Sequence, residues 1–227
     1  GLSAAAFVIA VNWVVYVLAV LSGRTYEAAL GYFLNPIVTV GLGVVVLGET
    51  LRRLQWVAVA VGFVAAVHLT VSGGVLPWIP LVLAFSFATY GLVKKRVGAT
   101  LGALHSLTAE TLVLGPVALG IVTAVGLSGA ATVTGHGAGH TGLLLSAGVV
   151  TAIPLLFFTA AARRVPLVTI GLLQFITPVL QLLTGVFLLG EHVRPALWVG
   201  FVLVWIALAI LTVDSVRASR AQRTRRG

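Results

Sequence analysis

The sequence predicts an all-α polytopic membrane protein. Eight transmembrane helices are visible, as the remainder of a ten-helix, five-plus-five inverted-repeat architecture. Three observations predict it. Hydrophobic residues make up 59% of the 227-residue chain and charged residues only 8%. A soluble domain carries about 25% charged residues, so too little polar surface is present to face water. The apolar residues lie in continuous runs close to the ~20 needed to cross a bilayer as a helix, without the period-two alternation of barrel strands. And the chain matches itself when shifted by 142 residues.

Cutting at charges and at Gly/Pro/Ser clusters places the spans at 3–21, 27–47, 55–72, 76–93, 103–126, 142–162, 167–190 and 195–213. The first run is not a signal peptide, because no basic region precedes it and Asn12 interrupts it. The absence of Cys excludes disulfides, thiolate metal sites and thiol catalysis. The net charge of +9 is no nucleic-acid footprint, because the basic residues sit in short clusters between the apolar runs. Arg52, Arg53, Lys94, Lys95, Arg96, Arg163, Arg164 and the tail residues Arg217, Arg220, Arg223, Arg225 and Arg226 fall on one side. Only Arg24 and Arg194 fall on the other. The crowded side is expected to be cytoplasmic, with both termini on it.

The repeat then sets the architecture. Phe33, Pro36, Gly43, Val44, Leu47, Gly48, Glu49, Arg52, Trp56 and Val57 recur as Phe175, Pro178, Gly185, Val186, Leu189, Gly190, Glu191, Arg194, Trp198 and Val199. Span 27–47 runs from outside to inside and its partner 167–190 the opposite way, so the copies are inverted, a signature of secondary transporters. Residues 1–73 read as three helices of a first copy, 74–213 as a complete five-helix second copy and 214–227 as a basic cytoplasmic tail. Two helices are expected to precede Gly1 in the full protein.

Polar groups at mid-membrane depth are functional candidates. Tyr32, Asn35 and Thr39 share one face of span 27–47. Gln174, Thr177, Gln181 and Thr184 form the matching stripe on 167–190. Pro36 and Pro178 interrupt those stripes and free the carbonyls of Tyr32 and Gln174, which must find protein, water or ligand. Pro154 aligns with Asn12, which places span 3–21 beside the same point, with Tyr16 one turn on. The alternative reading of the stripes is interhelical hydrogen bonding, worth about 0.6 kcal/mol per contact.

Glu110, inside span 103–126 with Ser106 one turn earlier, is either a proton-coupling carboxylate or a structural hydrogen-bond acceptor. Glu49–Arg52 and Glu191–Arg194 are expected to be local interfacial ion pairs. Tyr90, one turn from Ser86, is a further residue within reach of the cavity. Trp13, Trp56, Trp78 and Trp198 are assigned to interfacial belts or packing.

These residues resemble a known family. Asn12-Trp13, Glu27-Ala28-Ala29-Leu30-Gly31-Tyr32-Phe33-Leu34-Asn35-Pro36 and Leu47-Gly48-Glu49-Thr50-Leu51-Arg52 are similar to the third and fourth helices of RarD-type permeases, in the EamA group of the drug/metabolite transporter superfamily. Thr108-Ala109-Glu110-Thr111-Leu112, Ala161-Ala162-Arg163-Arg164-Val165-Pro166-Leu167 and Gly171-Leu172-Leu173-Gln174-Phe175-Ile176-Thr177-Pro178 resemble the second half. The resemblance implies ten helices in two inverted halves and export or exchange of small molecules across the bacterial inner membrane. Family members are often labelled chloramphenicol-sensitive proteins. Leu34 stands where the family has Ile, and the first two helices are absent from this sequence.

The expected site is therefore a midplane cavity. Asn12, Tyr16, Tyr32, Asn35, Gln174, Thr177 and Gln181 bind the substrate, Pro36, Pro154 and Pro178 are its helix breaks, and Glu110 is the candidate coupling group. No cofactor and no metal are expected. The expected partners are a small-molecule substrate and the lipid bilayer, with a homodimer left open. A membrane enzyme is disfavoured because HExxH, G-x-S-x-G and P-loop motifs are missing. A non-transporting structural or regulatory subunit, or an inactive fragment, is the alternative.

Overall fold

The computed structural model describes residues 1–73, 78–98, 102–129, 137–183 and 195–224. Among them the chain is helical without strands, in nine segments: α1 (Leu2–Leu21), α2 (Thr25–Leu47), α3 (Arg53–Gly73), α4 (Trp78–Val97), α5 (Ala103–Leu127), α6 (Ala138–Arg164), α7 (Leu167–Leu173), α8 (Ile176–Leu183) and α9 (Pro195–Thr224). Five of them (α1, α2, α3, α5 and α6) are long and apolar enough to cross a membrane by themselves. α4 ends in Lys94, Lys95 and Arg96, and the apolar part of α9 is Trp198–Asp214. The remaining predicted span, 167–190, is broken at Gln174–Phe175 into α7 and α8, and its residues 184–190 lie outside the described residues.

A lost hydrogen-bond donor coincides with the break. Pro178 has no N–H, so the Gln174 carbonyl loses its donor four residues on. The Thr177 N–H reaches it instead at 3.0 Å, and the Phe175 N–H donates to the Leu172 carbonyl at 3.3 Å, which tightens the turn. Pro36 leaves α2 continuous, although the same donor is missing there.

α2 ends on Gly48, in the left-handed region at φ 65°. Its N–H donates to the Val44 carbonyl at 3.1 Å and that of Glu49 to the Gly43 carbonyl at 3.0 Å. This is the paired C-terminal closure for which glycine is favoured, and it accounts for Gly in the Leu-Gly-Glu motif.

The core joins α2, α3, α7 and α9 through Leu30, Phe33, Val40, Ala65, Leu69, Val168, Leu172, Phe175, Val204 and Leu211. α7 runs antiparallel to α2: Gly43 meets Val168, and Gly171 meets Pro36 and Val40. α9 likewise runs antiparallel to α3, with Gly200 against Leu69 and Asp214 paired with Arg52.

Small residues set these approaches. A Cβ on Gly171 would lie 2.8 Å from Val40 Cγ2 and 3.0 Å from the Pro36 carbonyl oxygen and the Val40 nitrogen. Gly171→Ala therefore forces α2 and α7 apart and should cost about 1–3 kcal/mol in reversible unfolding in bicelles. Gly115→Ala, with nothing within 4 Å, should cost nothing. Equal effects of the two would contradict the packing.

α5 and α6 present Leu112, Val117, Leu119, Leu127, Leu143, Leu145, Val150 and Phe157 outward, all exposed. A continuous apolar face of this size is untenable in water and suits acyl chains.

The opposite ends of the molecule differ. At one end Lys95 Nζ donates to the Val165 carbonyl at 2.6 Å, Arg163 Nε to the Gly98 carbonyl at 2.8 Å and Arg52 to Asp214. Members of the basic clusters assigned to one side thus meet at one end. One expectation changes here. Lys94 is not a loop charge: it lies within α4 at 1% exposure. α9 continues through residues 214–224 and buries Asp214.

Candidate functional site

A cavity of about 500 Å³ opens between α1, α2, α4, α6 and the α7–α8 break. α1 contributes Ile9, Asn12, Trp13 and Tyr16; α2 contributes Ala28, Gly31, Tyr32 and Asn35; α4 contributes Leu83 and Phe87; α6 contributes Thr151, Pro154, Leu155 and Phe158; Gln174 and Thr177 come from the break and α8. The three-and-four spacing within each set is one helix face.

Of the expected binding residues, Asn12, Tyr16, Tyr32, Asn35, Gln174 and Thr177 line this cavity, and so does Pro154. The side chains of Gln181 and Pro178, and all of Thr184, lie outside the described residues. Pro36 is not a lining residue: it is buried, with its carbonyl turned against Gly171. Thr39 is also buried behind the wall, where it donates to Asn35 Oδ1 at 3.3 Å.

The polar groups are held from behind. Asn12 Nδ2 donates to the Leu83 carbonyl and to Ser86 Oγ, both at 2.9 Å. Gln174 Oε1 is buried without a hydrogen-bond partner among the described residues. An unpaired buried acceptor costs about 1–3 kcal/mol.

Rings form much of the wall. Tyr16 stands edge-on to Tyr32 at 6.2 Å and to Trp13 at 6.4 Å. Phe87 and Phe158, also in the wall, lie 5.1 Å apart. Trp13 therefore packs on Tyr16 and also lines the cavity. Trp78 does sit at an end, with Arg24 over its ring at 5.4 Å.

Sequence reasoning missed Ile9, Trp13, Ala28, Gly31, Leu83, Phe87, Thr151, Leu155 and Phe158. The signal for most of them was the same 142-residue shift. Ile9, Asn12, Trp13, Tyr16, Tyr32 and Asn35 map onto Thr151, Pro154, Leu155, Phe158, Gln174 and Thr177. All six pairs, twelve of the sixteen lining residues, are in the wall.

Glu110 lies behind the cavity. It is 2% exposed and paired with Lys94, which is 1% exposed. Ser106 Oγ donates to Glu110 Oε1 at 3.3 Å, Tyr90 OH to Oε2 at 3.3 Å and Lys94 Nζ to Ser106 Oγ at 2.8 Å. Tyr90 does not line the cavity. Its ring stacks on Phe158 at 5.9 Å, so one aromatic layer separates the ion pair from the lumen.

Glu49 does not pair with Arg52. Its carboxylate accepts from the backbone N–H groups of Leu167 at 2.8 Å and Val168 at 2.7 Å, and it lies 3.7 Å from Lys95 Nζ. It thus satisfies the otherwise open N–H groups that begin α7. The Glu191–Arg194 pair lies outside the described residues. No group of three His, Asp or Glu side chains suited to a metal occurs among the described residues.

The profile of the EamA-like transporter family matches residues 76–213. This chain belongs to that family. Three EamA-family relatives agree along almost its full length. Protein RarD of Streptomyces exfoliatus is 54% identical over 99% of this chain and 71% of the relative. An uncharacterized transporter of Bacillus subtilis, YojE, is 41% identical over 97% and 72%. Protein RarD of Escherichia coli is 40% identical over 96% and 73%. No solved structure matches the chain. The chain is a multi-pass membrane protein of the RarD type.

Proposed function

We propose that this protein is a secondary active transporter that exports a small metabolite or drug by alternating access around the cavity. The observation that carries the reading is the pairing of lining residues. Six positions on α1 and α2 and their 142-residue equivalents on α6 and in the α7–α8 region line one cavity, and α7 runs antiparallel to its equivalent α2. Two inverted copies that share a central cavity can rock about it and expose it to each face in turn. Residues 1–73 and 74–213 are the two copies in this reading, and the repeat arithmetic adds two helices to the first in the full ten-helix transporter.

Asn12, Tyr32, Asn35, Gln174 and Thr177 supply the polar contacts, with Gln181 expected to extend the stripe. The charge asymmetry orients the Arg52, Lys95 and Arg163 end toward the cytoplasm of a bacterial inner membrane. Glu110 is the proposed coupling group: a proton on it would dissolve the ion pair with Lys94 behind the Tyr90–Phe158 stack.

The test compares solutes exported by cells overexpressing the full-length protein with those of cells carrying Asn35→Leu or Gln174→Leu at equal membrane abundance. Loss of a neutral polar contact worth about 0.5–1.5 kcal/mol at the transition between states predicts export lowered about 2- to 12-fold. Export unchanged in both variants would refute the site.

A further inference from the structure

We propose that the cavity takes a flat aromatic solute with no net charge that carries an N–H or O–H donor. This rests on the reading of the cavity as the transport site and adds the chemical class of its occupant.

Three observations converge on that class. The first is the disposition of rings. Trp13, Tyr16 and Tyr32 form an edge-to-face run, Phe87 and Phe158 form a second ring pair, and all five line the cavity. A planar ring entering it meets ring edges and faces in the arrangements aromatic pairs prefer. The volume, about 500 Å³, suits a small molecule of one or two fused rings with substituents.

The second is charge. None of the described lining residues is Asp, Glu, Lys, Arg or His. The buried Lys94 and Glu110 neutralise one another behind Tyr90. An anion or cation entering would shed its hydration without a counter-charge. Ring faces attract cations, but a desolvated cation–π contact recovers only part of that hydration. Magnitude therefore favours the uncharged solute.

The third is Gln174. Its Oε1 accepts nothing among the described residues and is closed to solvent as it stands, while the residue lines the cavity. A turn of the amide toward the lumen would bring that oxygen to a ligand donor, whereas a pure hydrocarbon would leave it orphaned.

The experiment measures equilibrium binding to the full-length protein in nanodiscs, against empty nanodiscs, at neutral pH. The probes are 2-naphthamide, its saturated counterpart decalin-2-carboxamide, 2-naphthoate and 2-naphthylmethylammonium. The proposal predicts that 2-naphthamide binds about 10-fold or more tightly than each of the others. Gln174→Leu should weaken the amide about 10-fold. Thr151→Asp, which adds a carboxylate to the wall, should tighten the ammonium about 10-fold or more.

The ligand series needs no variant, so a misfolded mutant leaves it decisive. Equal or tighter binding of the ammonium, the naphthoate or the decalin amide to the unaltered protein would overturn the proposal, as would binding of none. Proteoliposome flux separates the two readings. Binding of 2-naphthamide without flux upholds the class and sinks transport. Flux of charged or aliphatic solutes with no amide binding does the reverse.

Discussion

Lys94→Met is expected to destabilise the protein by about 3–5 kcal/mol, because it strands a buried carboxylate. Glu110 is 2% exposed, and the groups that remain around it, Ser106 and Tyr90, offer hydrogen bonds at 3.3 Å but no positive charge. Glu110→Leu should cost a similar amount by stranding the ammonium. The double variant Lys94→Met/Glu110→Leu should recover most of the loss, since replacing both members of a buried pair by apolar groups is often close to neutral. The measurement is a double-mutant cycle of reversible unfolding in bicelles. Additive losses, with no recovery in the double variant, would show that the two groups do not depend on one another.

The second large effect is expected at Glu49→Ala. Two hydrogen bonds from backbone N–H groups to a carboxylate, at 2.8 and 2.7 Å, contribute about 1.5–3 kcal/mol each. Their loss opens the start of α7, the helix that leads to the Gln174 break. Hydrogen exchange at the Leu167 and Val168 amides should accelerate by about 100-fold or more, while amides in the middle of α3 stay unchanged. Glu49→Gln, which keeps one acceptor, should fall between. Unaltered exchange at 167 and 168 would remove Glu49 as the cap of α7. The contact joins the end of α2 to the start of α7, its antiparallel partner. Its rupture is therefore also expected to change which face of the membrane reaches the cavity.

Much of the site was legible because one shift operates on the whole chain. Asn12, Tyr32 and Asn35 and their equivalents Pro154, Gln174 and Thr177 stand out as polar or helix-breaking residues in apolar runs, and the structure gathers them in one wall. The rings were not legible. A Trp or Phe in a membrane helix is equally at home against lipid, in a belt or in a lumen, and only the three-dimensional arrangement distinguishes Trp13 and Phe158 from Phe157, which faces outward.

The electrostatics were misread for a different reason. Sequence spacing detects partners three or four residues apart, so Glu49 was matched with Arg52. Each has a better partner far along the chain: the α7 N-terminus for Glu49 and Asp214 for Arg52. Lys94 was counted among interfacial charges because two other basic residues follow it. Two residues apart on α4, Lys94 and Arg96 point to nearly opposite faces of the helix, so Lys94 reaches inward to Glu110 while Arg96 stays exposed. The Leu-Gly-Glu motif likewise showed itself as a repeat, but its physical purpose, a glycine closure that delivers a carboxylate to another helix, needed the fold.

The central claim is that the paired wall encloses a wet lumen which each side of the membrane can reach in turn. These 227 residues contain no Cys, so a thiol introduced among them is followed against the parent protein without that substitution as background. Thr177→Cys, in the cavity wall, should react with a membrane-impermeant methanethiosulfonate reagent added from either side. A bound solute should slow both reactions. Val117→Cys, on the outward face of α5, should react from neither. Reaction of Thr177→Cys from both sides is the predicted result; reaction from one side only, or from none, would contradict the account.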